Sequence, residues 1–302
     1  MRILILSRNP SLYSTQSLLR ACYRRGHYAR VVDHLMCDLV IEEGELSVFY
    51  QGEKLEGFEA LIPRIGSSVT TYGSNVIRQF EKMGVFTVTR SDSILQARNK
   101  LRCYQILASE GIPIPKTILP NFAQFDEQLI RESFDTPLVV KLPESTHGLG
   151  VILSESYRNA TSTIEAFYRM KQKVLVQEFI AESRGSDIRI LIVDGQIIAS
   201  MKREAQEGEF RSNLHRGATG RIEPITEQES FLCRKVCRIL NLDVAGVDIL
   251  RSSKGPLVLE VNSSPGLEGI ETISGKDVAG AVVKFIEKSV RKRNKYLIRK
   301  AR

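Results

Sequence analysis

Two carboxylates and an amide near the C-terminal end are the residues best spaced for chemistry. Asp248-Ile249-Leu250-Arg251 and Val258-Leu259-Glu260-Val261-Asn262 flank the turn-like stretch Ser252-Ser253-Lys254-Gly255-Pro256. A β-hairpin centred on Lys254 sets Asp248 opposite Glu260. Asn262, two residues further on, then shares their face. Carboxylates opposed at about 5 Å repel by about 3 kcal/mol at an effective dielectric of about 20. Their neighbours, Val247, Ile249, Val258 and Val261 among them, are apolar, so the sheet is expected to be buried. A buried like-charged pair needs a proton, a basic partner or a metal ion. Three oxygen-bearing side chains on one face suit Mg²⁺, which takes one or two carboxylates and completes its shell with water and phosphate oxygens. The alternative is a solvated edge paired with lysine or arginine.

Other candidates lie upstream. Lys141 ends the apolar run Leu138-Val139-Val140, where it either reaches out to solvent or holds a phosphate as a point charge. The loop that follows, residues 144–150, carries Ser145, Thr146, Gly148 and Gly150. Such a loop lets backbone N–H groups approach phosphates, or is an ordinary hairpin turn. In the apolar run Val174–Ile180, an available strand edge would let Glu178 and Ile180 main-chain groups bond adenine. Asp187 is then placed to accept from ribose hydroxyls, or to pair with Arg189. Arg203, Arg211, Asn213, His215 and Arg216 form a basic stretch suited to carboxylates, phosphates or a developing oxyanion. Lys100 by itself is an ordinary helix lysine. Walker A, dinucleotide-fingerprint and G-x-S-x-G patterns are absent, and His215 lacks the partners of a zinc site.

These residues need positioning elements, and 302 residues suffice for two or three packed units. Composition is that of a globular protein, and no apolar run reaches membrane-spanning length. Cys22, Cys37, Cys103, Cys233 and Cys237 are scattered without a C-x-x-C pair, as reduced core thiols of a cytoplasmic protein would be. The net charge is +8, with 43 basic and 35 acidic residues. Residues 291–302 hold seven Lys/Arg and no acid, so the body alone has 43 − 7 = 36 basic residues against 35 acidic ones. That tail is either a frayed solvated end or an attractor for RNA or an acidic peptide.

Along the chain, a β-α-β start (strand from Ile3, helix Thr15–Gly26, strand from Ala29) opens an α/β unit of about 95 residues. A hairpin follows near Gln51-Gly52, then a strand at Ala60–Pro63 and a helix at Gly73–Met83. One long helix is expected over Ser91–Glu110. Beyond it come the strand ending in Lys141, a helix over Ser156–Met170, two antiparallel strands (Asp187–Val193, Gln196–Arg203), a helix over Glu227–Leu240, the Asp248/Glu260 hairpin and a last helix over Lys276–Arg291.

Lys100 with Lys141, the loop to Gly150, Val176-Gln177-Glu178-Phe179-Ile180 and Asp248…Glu260-Val261-Asn262 together resemble the ATP-grasp superfamily. Leu6-Ser7-Arg8, Pro63-Arg64-Ile65-Gly66, the stretches at 185–189, 210–217 and 244–250, and the run from Glu260 to Glu271 resemble the RimK glutamate ligases more closely. The resemblance covers Met1 to about Lys288. It implies an α/β (α+β) ATP-grasp fold behind an N-terminal, Rossmann-like pre-ATP-grasp domain. Expected boundaries are 1–97, 98–178 for the central lobe, 179–290 for the C-terminal lobe and 291–302 for the basic tail.

The resemblance further implies Lys100 and Lys141 on ATP phosphates. Glu178, Phe179, Ile180 and Ala181 would line the adenine site, Asp187 the ribose, and Arg211, Ser212 and Asn213 the nucleotide and substrate. Asp248, Glu260 and Asn262 would hold two Mg²⁺ or Mn²⁺ ions, with Arg203, Arg211 and Lys141 as the catalytic cations. The implied activity adds L-glutamate to the C-terminus of the sixth small-subunit ribosomal protein through an acyl-phosphate, with poly-α-glutamate as a further product. The implied assembly is a homo-oligomer, often a tetramer. A ligase for a small-molecule carboxylate and a nucleotide-sensing RNA binder are the competing expectations. An acyl-phosphate route needs no side-chain nucleophile, only groups that position and neutralise anions.

Overall fold

The computed structural model describes residues 1–121, 125–144, 149–214 and 217–300. His215, Arg216 and the Ser145–Gly148 part of the glycine loop therefore lie outside the described residues.

The N-terminal unit opens with β1 (Arg2–Leu6), α1 (Tyr13–Arg24) and β2 (Tyr28–Val32). A meander of β3 (Cys37–Glu42), β4 (Glu45–Tyr50) and β5 (Glu53–Lys54) precedes β6 (Ala60–Pro63), α2 (Thr70–Lys82), β7 (Phe86–Thr87) and α3 (Ser91–Arg98). The main sheet is parallel, in order β2-β1-β6-β7. Ile3, Leu4, Ile5 and Leu6 of β1 are all fully buried, as a strand covered on both faces requires.

The middle unit holds α4 (Lys100–Ser109), β8 (Thr117–Ile118), α5 (Glu127–Ser133), β9 (Leu138–Lys141), β10 (Val151–Ser154), α6 (Tyr157–Arg169) and β11 (Leu175–Glu178). Its antiparallel sheet runs β10-β9-β11-β8. The last unit holds β12 (Ser186–Val193), β13 (Gln196–Glu204), β14 (Thr219–Ile222), α7 (Glu227–Ile239), β15 (Val244–Ser252), β16 (Gly255–Asn262), α8 (Glu268–Ser274) and α9 (Val278–Lys300). Its antiparallel sheet runs β14-β13-β12-β15-β16. Apolar residues of α9 pack with Leu18 and Ala21 of α1 and with Leu191 and Met201 of the large sheet, so one core joins the first and last units. All five cysteines are free and buried.

Three differences from the sequence expectation matter. The expected helix over 91–110 is two helices, broken at Asn99, which has extended backbone (φ −83°, ψ 106°). The Asn99 side chain accepts from Arg102 N, so capping a new helix outcompetes continuing the old one. Residues 291–300 of the tail are not frayed: α9 continues to Lys300, carrying their basic side chains out on a helix. Short α8, with its apolar residue Ile270 fully buried, was not foreseen.

Candidate active site

The Asp248/Glu260 pair faces across β15 and β16 as expected, but for a reason the spacing alone does not reveal. The turn is centred between Ser253 and Lys254, so Ser252 pairs with Gly255 and Ile249 with Val258. Continued unchanged, that register would set Asp248 against Leu259. An irregularity after Ile249 inserts Leu259 as an extra residue, and pairing resumes with Asp248 against Glu260 and Gly246 against Asn262. The bulge keeps both carboxylates on one face. Tyr104 Oη donates to the Leu259 carbonyl at 2.6 Å, and Lys141 Nζ donates to Tyr104 Oη at 2.8 Å. The irregular point of the hairpin is thus tied to the phosphate-binding lysine candidate.

Asp248 is buried, and its two oxygens accept from Arg189 Nε and Nη2, both at 2.7 Å. Arg203 Nη2 adds a contact to Asp248 at 2.9 Å and also engages Asp187. Asp187 therefore pairs with Arg203 rather than with Arg189, because the β12–β13 register sets Asp187 against Arg203 and the β12–β15 register sets Arg189 against Asp248. Burial works against Asp248 ionising, but Arg189 and Arg203 outweigh it and hold the group below its ordinary value. Asp187 is pushed up by burial, against the pull of Arg203 and with the repulsion of Asp248. Burial opposes the Arg203 charge, yet the two aspartates raise its pKa overall. The buried carboxylates have found basic partners, one of the three solutions the sequence left open.

Glu260 is different. Its side chain is 30% exposed and its ion pair with Lys100 Nζ is long, at 3.3 Å. The break at Asn99 makes Lys100 the first residue of α4 and sends it toward Glu260 rather than along a continuous helix. Lys141 is buried and donates to Gln177 Oε1 at 2.7 Å as well as to Tyr104. Burial, then the charge of Lys100, push Lys141 down to about 7. Arg211 is held by Glu209 through Nε at 2.9 Å and Nη2 at 2.7 Å, which aims the 209–213 loop over β10.

One cleft between the last two units collects Lys100, Lys141, Glu178, Phe179, Ile180, Asp187, Arg203, Arg211, Ser212, Asn213, Asp248 and Glu260, walled by Val139, Val151, Leu250 and Leu259. Two expected members lie outside it. Ala181 is exposed at the start of a 3-10 turn that directs it away. Asn262 sits at the end of β16, with its Nδ2 buried and unpartnered. The expected adenine contact also shifts. β11 is flanked by β9 and β8, and Glu178 N already donates to Lys116 O at 3.0 Å. The backbone past the end of β11, at Phe179 and Ile180, is the part left beside the cleft. Sequence reasoning missed Tyr104, whose one signal is its place one helical turn beyond Lys100. Gln177 and Arg189 stand in the sequence analysis, but not as the partners of Lys141 and Asp248.

A model of the RimK-like ATP-grasp domain matches residues 97–286, and one of the RimK pre-ATP-grasp domain matches residues 1–94. The chain belongs to the RimK-like ATP-grasp family. It is an ATP-dependent carboxylate–amine ligase. A probable alpha-L-glutamate ligase of Syntrophotalea carbinolica is 51% identical over 288 residues, covering 95% of this chain and 96% of the relative. One of Cellvibrio japonicus is 51% identical over 291 residues, covering 96% and 97%. Among solved structures, the ATP-grasp ligase PsnB complexed with a minimal precursor superposes with a TM-score of 0.74 over 95% of this chain and 98% of its own, at 21% identity. That likeness establishes the ATP-grasp fold here, with the RimK-type N-terminal domain in front. No helix among the described residues is long and apolar enough to cross a membrane.

The family binds ATP with a divalent metal, and the side chains present fit such an ion. Asp248 and Glu260 are cross-strand neighbours, the one ion pair of Glu260 among the described residues is the long lysine contact, and Asn262 follows on the same strand face. The donor atoms are all oxygens, the choice of hard cations rather than zinc. No cluster of three or more His, Cys, Asp or Glu ligands occurs among the described residues, so the remaining positions would fall to phosphate and water.

Proposed function

We propose that the protein adds L-glutamate to a peptide C-terminus, that of the sixth small-subunit ribosomal protein, with poly-α-glutamate as a further product. The observation that carries the ligase chemistry is the convergence of Lys100, Lys141, Arg203 and Arg211 with Asp248 and Glu260 in one cleft. Glutamate as the amine substrate is supported by relatives of about half identity that bear the glutamate ligase name. A peptide acceptor is in keeping with PsnB, which was solved with a precursor peptide. The basic end of α9 would draw an acidic acceptor peptide.

The acceptor carboxylate oxygen attacks the γ-phosphorus of ATP and ADP leaves. The glutamate amine then attacks the acyl carbon, phosphate departs and the nitrogen gives up a proton. Lys141 and Lys100 hold the phosphates, Phe179 and Ile180 offer backbone to the base, and Arg211 covers the nucleotide from the 209–213 loop. Asp248, Glu260 and Asn262 would hold Mg²⁺ or Mn²⁺, which would supply charge neutralisation at the phosphates. Arg203 keeps Asp187 and Asp248 in place.

The test incubates the protein with ATP, Mg²⁺, glutamate and the ribosomal protein and follows mass. Successive glutamyl additions are expected, and chelation should stop them. ADP release with small carboxylates alone would instead favour a small-molecule ligase.

Lys141 adds a pH prediction. With its folded value near 7 and its unfolded value near 10.5, the unfolded chain binds more protons between those limits. Stability from this group therefore rises as pH goes from about 7 to about 10.5, and the burial penalty is felt in full below 7. Triphosphate binding favours the charged form, so nucleotide binding near pH 8 should take up a proton. Titration calorimetry in buffers of different ionisation enthalpy should show that uptake. Lys141→Met should abolish it and weaken ATP binding by roughly 10- to 100-fold. Equal proton uptake in the variant would exclude Lys141 as the source.

A further inference from the structure

Beside the nucleotide cleft, a second group of cations lies where the first unit meets the end of β16. Arg64 directly follows β6, and its backbone N–H donates to Leu6 O at 2.8 Å, so the parallel sheet fixes its place. Arg98 closes α3, and its Nη2 donates to Ile65 O at 2.8 Å. Arg98 Nε is buried with no partner. The two guanidinium groups sense each other: burial, then the Arg98 charge, push Arg64 down to about 10. Burial lowers Arg98 as well, while the charges of Glu260 and Glu144 pull it back up. Among the described residues no carboxylate forms an ion pair with either arginine.

The opposite wall points the same way. Ser264 Oγ donates to Pro63 O at 3.3 Å, which brings the segment after β16 against the Arg64 loop. The neighbouring Ser263 is 4% exposed, and its hydroxyl has no partner. Asn262 Nδ2 is equally unsatisfied. Arg8, exposed at the end of the first strand, reaches over Gly66, with Nη2 3.2 Å from where a β-carbon there would stand. The loop can lie this close because Gly73 has no side chain. A β-carbon at Gly73 would sit 2.6 Å from Ile65 Cγ2.

Half-buried cations without an ion-pair partner and buried donors without acceptors are both costly, and one anion relieves them together. Neither Arg64 nor Arg98 is among the residues that line the nucleotide cleft. Paired guanidinium groups match the planar fork of a carboxylate. We propose that Arg64 and Arg98, with Ser263 behind them and Arg8 at the mouth, bind a non-reacting carboxylate of an amino-acid substrate and orient that substrate toward the acyl-phosphate beside Glu260. The carboxylate belongs to the incoming glutamate or to the terminal residue of the acceptor peptide. The proposal rests on the glutamate ligase reading.

Steady-state kinetics of wild type, Arg64→Ala and Arg64→Lys separate the cases. The expected result for Arg64→Ala is a rise of roughly 10- to 100-fold in KM for one amino-acid substrate. KM for ATP should stay within about twofold, and lysine should recover part of the loss. A rise in KM for glutamate assigns the subsite to the incoming amino acid, and a rise for the peptide assigns it to the acceptor. Unchanged KM for both, or an equal rise for ATP, overturns the proposal while leaving the ligase reading intact. Should wild type fail to use glutamate at all, that reading falls and a binding measurement still decides the subsite. Thermal stabilisation of the full chain by millimolar glutarate is expected for wild type and absent for Arg64→Ala and Arg98→Gln. Equal stabilisation of all three overturns the subsite.

Discussion

Glu260→Gln should lower kcat for ADP release by about 10³-fold or more while leaving melting behaviour close to wild type. The size follows from the several kcal/mol that a correctly held cation supplies to phosphoryl transfer, at a tenfold change per 1.36 kcal/mol. The mild structural cost follows from the side chain's situation. Glu260 is partly exposed, and its one ion pair among the described residues is the 3.3 Å contact with Lys100, a class of interaction that contributes about 1 kcal/mol or less. Glutamine has nearly the same shape and can still face Lys100 through its carbonyl. Coupled ADP assay and thermal melting on one preparation check both halves. Collapse of the fold would show that Glu260 is structural, and retained turnover would remove it from the metal site.

Arg203→Leu should behave in the opposite way, with a large loss of stability. Arg203 is 3% exposed and stands between Asp187 and Asp248, which are themselves buried. Its removal takes from Asp187 its ion-pair partner and strips one of two arginines from Asp248. Breaking a buried pair from one side costs about 3–5 kcal/mol. For a chain of this size, a fall of about 5–10 °C or more in Tm is expected. The double variant Asp187→Leu, Arg203→Leu should recover part of that loss, since removing both charges leaves no orphan. Denaturant titration of wild type, single and double variants measures the coupling. A single variant within about 1 kcal/mol of wild type would mean that the pair is solvated in solution. Arg203→Lys keeps a charge but loses the fork that spans both carboxylates, so intermediate stability is expected.

The two cases also separate what residue type reveals from what position reveals. Glu260 and Arg203 both read as functional from sequence, but one is partly open to solvent and the other is locked inside a charge network. The Asp187–Arg203 and Arg189–Asp248 pairings come from the registers of β12 with its two neighbours. Strand lengths alone do not specify those registers. Local capping chemistry, by contrast, was available in the chain itself. Asn99 stands just before Lys100, and its preference for a helix start is a property of its short polar side chain. Apolar periodicity alone runs a helix straight through it.

Much was written in the order of residues. The apolar strand at 3–6 and the hairpin bearing Asp248 and Glu260 follow from local pattern, because period-2 alternation and turn residues act over short distances, whereas the shared cleft of Lys100, Lys141 and the acidic residues came from the resemblance to the family. Tertiary structure decided the rest. The extra residue Leu259 sets which face the carboxylates share, and Tyr104, from a distant helix, caps its carbonyl. The meeting of Arg64 with Arg98 depends on where the parallel sheet ends and on Gly73 letting Ile65 approach. These are long-range matters of packing and register, in which residues far apart in the chain compete for the same space and the same hydrogen bonds. Local spacing carries no record of that competition.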